Sequence, residues 1–219
     1  MKPLKLVVFA SGTGTNAKNI FETAVKYPAL LSVKGLICNK KNAGVLELAR
    51  AYSFPSFVIP VLNNKDSHQA RLDHENRITA LLDTIDFDYI CLAGYMRIFT
   101  LSFIERYPHP SWPVSKIINI HPSLLPSFKG LSAYEAAFEY GVRLAGVTAH
   151  FVNEELDGGM ILHQRHFPRL PQDSLEDFKR RGLLEEHQCY RDALLALAKK
   201  EYQLQSNPFR LFLSISKDR

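Results

Sequence analysis

Apolar residues rich in β-branched side chains cluster in short runs along the first half of the chain, at 4–10, 33–38, 56–60, 89–93 and 116–120. None of these runs alternates strictly between apolar and polar, the pattern of strands covered on both faces rather than one. Between them, 16–26, 43–52 and 68–82 carry helix-length amphipathic stretches, whereas 29–31 and 99–105 fit neither template cleanly. Short buried strands separated by helices predict βαβ units and a parallel sheet, with right-handed crossovers placing helices on its two sides.

The pattern changes after Pro126. The run LSAYEAAFEY at 131–140 predicts a short helix closed by Gly141, because glycine adopts the left-handed terminating conformation without a Cβ penalty. VTAHFV at 147–152 and the mixed run at 161–167 predict two strands joined through a loop at 153–160, a connection short enough for antiparallel pairing. A long helix is expected over 174–198, opened by Ser174 and Asp177 as a capping box with Asp in place of Glu. Gly182 is expected to interrupt or bend it, and 209–215 reads as a last strand or a packed arm. The fold class is therefore α/β, an open, mostly parallel twisted sheet with helices on both faces. No linker, repeat or low-complexity run marks a domain boundary in the first 165 residues.

With 46% hydrophobic and 22% charged residues, the 219-residue chain has enough apolar material for a core without disulfide or metal staples. Cys38, Cys91 and Cys189 are dispersed and odd in number, which argues against a disulfide framework and suits a reducing compartment. Cys38 and Cys91 lie in apolar runs and read as small buried hydrophobes. The N-terminal MKPLKLVVFASGTG has a basic start, but its apolar run is too short for a secretory signal and ends in a glycine turn. No run has the length of a transmembrane helix, and the expected location is the cytoplasm. A net charge of +5 favours anionic partners, either nucleic acid or phosphorylated metabolites. The densest basic stretch, 165–181, lacks any nucleic-acid-binding signature and reads as solvated surface.

Two places carry candidate chemistry. The first strand runs through Ser11-Gly12-Thr13-Gly14-Thr15-Asn16 straight into a helix. Glycines permit close backbone approach, and a helix N-terminus offers amides and a positive dipole end to a phosphate. Ala17 stands where a dinucleotide fingerprint takes a small residue, no Walker lysine with a following Ser or Thr is present, and a glycine turn here also serves as plain punctuation. The second place is Asn119-Ile120-His121-Pro122. In a strand, Asn119 and His121 project from one face, and Pro122 places them at the carboxyl end, where open α/β sheets build sites. A carboxamide can donate to a developing oxyanion and an imidazole can move a proton near neutral pH. Asp157, in the glycine-ended loop ELDGG, is a candidate to hold that imidazole. On spacing alone, a structural histidine and an ordinary turn explain these residues as well.

The run NIHPSLLP at 119–126 followed by ELDGG at 155–159 resembles the signature of folate-dependent formyltransferases. SGTGTN at 11–16 and AGYMRI at 93–98 are similar to the branch that works in purine synthesis, and the likeness runs in consistent order from residue 4 to about 190. The resemblance implies transfer of a formyl group from 10-formyltetrahydrofolate to the amine of N1-(5-phosphoribosyl)glycinamide, with no metal. It implies small-molecule substrates, no nucleic acid or membrane partner, and a monomer or weak homodimer. It casts Asn119, His121 and Asp157 as the catalytic trio, Gly14, Thr15 and Asn16 as the phosphate loop, and Glu186 as an acid near the ribose hydroxyls. Met96, Arg97, Ile98 and Phe99 match the segment that packs on the pterin, and Arg71 matches a basic folate contact. Leu183 departs from the pattern, standing where a polar group is expected. The stretch 107–114 is longer than usual, and its His109 and Trp112 are expected to lie outside the site. The resemblance implies one formyltransferase domain over 1–219, with a phosphate-binding half at about 1–100, a catalytic and folate-binding half at about 101–203 and a tail at 204–219. Methionyl-tRNA formyltransferase shares the Asn–His and Asp segments, but its additional RNA-binding domain is not expected within this length. A formyltransferase for a nucleotide-linked amino sugar would keep the trio but lack the compact phosphate loop. A non-catalytic folate- or nucleotide-binding module would bind without turnover.

Overall fold

The computed structural model describes residues 2–62, 68–206 and 209–213. It is a mixed α/β fold, a sheet flanked by helices, in two compact units: Met1–His109 with Ser115–Ile118, and Pro110–Val114 with Asn119–Arg219.

The first unit contains β1 (Leu4–Ala10), α1 (Thr15–Lys26), β2 (Leu31–Cys38), α2 (Gly44–Ala51), β3 (Ser56–Val58), α3 (His68–Leu82), β4 (Tyr89–Leu92) and α4 (Leu101–Arg106). Its strand order is β3-β2-β1-β4, and β1 pairs in parallel with both β2 and β4. The non-alternating runs have the expected physical cause, since Leu6 to Ala10 on β1 and all four residues of β4 are buried. Each large side chain so buried contributes about 1.5–3 kcal/mol. Helix α1 turns Ala17, Ile20, Phe21 and Ala24 inward at the i, i+3, i+4, i+7 spacing of a core-facing stripe. Cys38 and Cys91 are buried free thiols, as their apolar surroundings predicted.

Strand β5 (Ile117–His121) contributes its last three residues to the second unit, which continues through α5 (Ala133–Tyr140), β6 (Leu144–Phe151), β7 (Ile161–Pro168), α6 (Leu175–Ala198), β8 (Tyr202–Ser206) and β9 (Phe209–Leu213). β6 and β7 pair antiparallel, and α6 opens on the capping box expected at Ser174 and Asp177. Gly141 terminates α5 with φ 85°, the left-handed conformation anticipated for it.

Several boundaries depart from the sequence pattern for identifiable reasons. Helix α6 runs unbroken through Gly182, which is buried against the Tyr134 ring, so the glycine makes room for a neighbour rather than ending the helix. Strand β6 starts at Leu144, three residues before the apolar alternation begins, because Leu144, Ala145 and Gly146 pair with Pro168, Phe167 and His166 of β7, where the glycine lets the two backbones approach. Strand β8 has no apolar run to announce it; YQLQS is ordered by antiparallel pairing with β9. Of the predicted last strand, residues 214 and 215 lie outside the described residues, as do 207, 208 and 216–219 of the expected tail. No helix among the described residues is long and apolar enough to cross a membrane.

Candidate active site

Asn119 and His121 leave β5 two residues apart, and both reach the same cluster of side chains. His121 Nε2 lies 2.8 Å from the Phe128 carbonyl oxygen. A carbonyl only accepts, so Nε2 carries a proton. The other ring nitrogen, Nδ1, is 3.3 Å from Asp157 Oδ2, with the two side chains 6% and 7% exposed. Both ring nitrogens thus face acceptors, the Phe128 carbonyl on one side and the Asp157 carboxylate on the other. Asp157 Oδ2 also accepts from the Gly130 amide at 2.8 Å. The loop carrying these main-chain groups is unusual: Phe128 has φ 52° and Gly130 φ 84°. A bulky residue rarely adopts the left-handed region, and here the turn it makes carries the carbonyl that His121 meets.

Asp157 has φ 51° itself, a conformation Asp tolerates better than most residues. Two residues on, a Cβ at Gly159 would fall onto the Phe151 carbonyl, so the glycine of ELDGG is needed for close approach of two backbones. Burial by itself raises the Asp157 pKa, but hydrogen bonding from His150 and the Gly130 amide, with the charges of His121 and His150, outweighs it. The net effect holds the carboxyl below the usual aspartate value.

His150 is the cluster member that sequence reasoning missed. It lies on β6, 2% exposed, with Nδ1 3.0 Å from the Phe151 carbonyl. In the neutral ring the proton sits on Nδ1, leaving Nε2 to accept from Asn119 Nδ2 at 3.4 Å. Protonation turns Nε2 into a donor toward Asp157 Oδ1, 3.6 Å away. The same ring nitrogen thus faces both the carboxamide and the carboxylate, accepting from the first when neutral and donating to the second when charged. The available signal was a histidine inside an otherwise buried strand, since such a residue needs polar partners wherever it goes.

In the first unit, Gly14 is the N-cap of α1, with φ 83° and no side-chain cap. A glycine N-cap brings no side chain of its own to the first turn of α1, which leaves room for an anion to approach there. Ser11 is buried; its amide donates to the Gly94 carbonyl at 3.1 Å and its hydroxyl accepts from the Met96 amide at 3.0 Å. The glycine loop and the 94–99 segment are thereby latched together. Met96 and Ile98 are 62% and 60% exposed, so their side chains are open to a ligand. Phe99 is buried, stacked on Phe103 at 4.4 Å and on Tyr95 at 5.6 Å, and acts as an anchor of the segment. The segment is held further by Glu75 on α3, which accepts from the Thr100 amide at 2.7 Å and from its hydroxyl. Arg71 lies on the same helix, one turn earlier and partly exposed.

Glu186 is buried on α6 and accepts from the Tyr134 hydroxyl at 2.6 Å. Leu183 is partly exposed. His109 bonds the Tyr89 hydroxyl at 2.8 Å, and Trp112 packs edge-on against Phe151. Among the described residues no group of three or more His, Cys, Asp or Glu is arranged to hold a metal.

The family model described as formyl transferase matches residues 4–194. Phosphoribosylglycinamide formyltransferase of Haemophilus influenzae is 37% identical over 186 residues, covering 85% of this chain and 83% of that protein. The human trifunctional purine biosynthetic protein adenosine-3 is 34% identical over 206 residues; the match takes in 94% of this chain but only 19% of that protein. Among solved structures, phosphoribosylglycinamide formyltransferase from Anaplasma phagocytophilum superposes with a TM-score of 0.85 at 35% identity, covering 100% of this chain and 96% of its own.

Proposed function

This chain belongs to the formyl transferase family, and from that premise we propose that it transfers the formyl group of 10-formyltetrahydrofolate to the amine of N1-(5-phosphoribosyl)glycinamide in purine synthesis. The observation that carries the reading is the buried cluster in which Asp157 meets His121 at 3.3 Å while Asn119 is tied to His150 at 3.4 Å. The two smaller relatives named above, each a phosphoribosylglycinamide formyltransferase, support the choice of substrate.

The neutral amine attacks the formyl carbon and the carbonyl oxygen gathers negative charge. Asn119 Nδ2 and the His121 Nε2 proton stabilise that oxygen, Nε2 exchanging the Phe128 carbonyl for the more strongly accepting oxyanion. Asp157 holds the imidazole through Nδ1 and helps move a proton from the attacking nitrogen to the departing folate nitrogen. Gly14, Thr15 and Asn16 bind the phosphate and Glu186 the ribose hydroxyls. Met96, Arg97, Ile98 and Phe99 form the pterin segment, and Arg71 contacts the folate. The enzyme acts in the cytoplasm on small molecules, as a monomer or weak homodimer. Dispersed free thiols agree with that compartment.

The test is formyl transfer from 10-formyltetrahydrofolate to phosphoribosylglycinamide, run beside His121→Ala. Turnover that disappears in the variant supports both reaction and site. Folate binding without transfer to this amine overturns the substrate assignment.

A second expectation concerns His150. Its replacement by Asn loosens Asn119 and removes a hydrogen-bonding partner of Asp157, so kcat falls by about tenfold, a loss of ~1.4 kcal/mol in transition-state stabilisation. KM for either substrate stays within roughly threefold, since the residue touches neither. Steady-state kinetics on the purified variant decides it, and unchanged kcat removes His150 from the machinery.

A further inference from the structure

We propose that Tyr134 is a positioning residue for the ribose end of the amine substrate, fixing Glu186 through its hydroxyl and supplying the polar group that Leu183 does not. The inference rests on the reading of Glu186 as a ribose contact. Tyr134 is the second residue of α5, and its ring lies against α6 at Gly182 and edge-to-face on Phe178 with centroids 6.0 Å apart. Gly182 and Glu186 are four apart and share one helix face. Any Cβ at 182 would strike the ring, hydroxyl included. Glycine is among the weakest helix formers, and α6 accepts one mid-helix where it admits this tyrosine. The hydroxyl then reaches Glu186 Oε1 at 2.6 Å, the short distance of a bond to a charged acceptor.

The arrangement answers the departure at Leu183. That position is on the neighbouring turn of the same helix, where its apolar side chain offers no hydrogen bond to a sugar. The phenol arrives from another element and is partly exposed, while Glu186 is buried. Burial and then the neighbouring Glu186 charge push the Tyr134 pKa up, so the phenol remains a donor throughout the working pH range. A carboxylate restrained by that donor loses less rotamer freedom when a ribose hydroxyl binds.

The test compares phosphoribosylglycinamide with its 2′,3′-dideoxyribose analogue in the wild type, Tyr134→Phe and Glu186→Gln. The Phe variant keeps the ring on Phe178 and removes only the hydroxyl. It is expected to raise KM for the full substrate by about tenfold, the scale of one hydrogen bond to a charged group. KM for the dideoxy analogue, KM for the formyl donor and kcat stay within about twofold, since none depends on the ribose hydroxyls. Gly182→Ala, which displaces the ring, reproduces the pattern. A purely structural tyrosine would raise both amine KM values alike or lower kcat, and either result overturns the proposal. If Glu186→Gln abolishes discrimination against the analogue while Tyr134→Phe retains it, the proposal falls and the Glu186 reading survives. If Glu186→Gln retains discrimination, both fall.

Discussion

Replacing Asp157 by Asn lowers kcat by on the order of 10²–10³, the cost of losing a well-placed stabiliser of the transition state, while KM for both substrates changes little. The substitution is informative because it spares everything except the charge. Asn tolerates the left-handed backbone that Asp157 adopts at φ 51°, so no strain is introduced. The amide has the same shape, and its oxygen can still accept from the Gly130 amide. It no longer presents a negative charge to His121 Nδ1, so the ring loses the carboxylate that faces it opposite the donating Nε2. Single-turnover rates and substrate Kd separate the two effects, and equal turnover in the variant removes Asp157 from the chemistry. The same carboxylate leaves a mark on stability. Its pKa is depressed in the folded chain, so its contribution is fully present above the ordinary value of 3.8 and is lost as pH falls through the lower folded value. The difference in Tm between wild type and Asp157→Asn is therefore flat above about pH 4 and shifts toward the variant below it.

Gly14→Ala produces the largest combined loss of folding and substrate binding. Gly14 has φ 83°, and a Cβ there would lie 2.5 Å from Val45 Cγ2, a side chain with no exposure of its own. The left-handed backbone costs about 1–2 kcal/mol and the overpacking about 1–3 kcal/mol. At roughly 2–4 °C per kcal/mol for a chain of this size, Tm falls by on the order of 10 °C. The displaced loop also misdirects the first-turn amides of α1, raising KM for the phosphorylated amine by about tenfold or more. Adding Val45→Ala removes Cγ2 but leaves the Val45 Cβ, 2.6 Å from the added methyl, and does nothing for the backbone, so little of the Tm returns and KM stays high. A lowered Tm with unchanged KM would show that this glycine turn is punctuation and that phosphate binds elsewhere.

The parts of the fold visible in the sequence were those set by local pattern. The buried strands β1, β2 and β4 stand out because both faces are apolar, and the capping box at Ser174 because its two partners are three residues apart. What stayed hidden depends on partners distant along the chain. Gly182 looks like a break until Tyr134 is seen against it. YQLQS becomes a strand only through β9. In the cluster, Asn119, His121 and Asp157 were marked out by the resemblance of NIHPSLLP and ELDGG to formyltransferases, since residue type and spacing alone left a structural reading open. His150 was not, since one histidine in an alternating strand has no local sign of what it faces. Phe128 and Gly130 act through main-chain atoms, which no residue type encodes.

That last feature bears on how the enzyme withstands mutation. The groups that orient His121 and Asp157 are a carbonyl and an amide, and these are the same whatever side chains flank them. Drift at Lys129 leaves the donor and acceptor in place so long as the turn keeps its course. The side chains there instead moor the turn, Phe128 edge-on to Tyr140 at 5.9 Å and Lys129 paired with Glu155 at 2.6 Å. Residue type is restricted at both ends of the turn by positive φ, 52° at Phe128 and 84° at Gly130. Neutral variation should therefore accumulate at 129 while 128 and 130, both in the left-handed region, admit few replacements, so that a substitution map would show one tolerant position between two restricted ones.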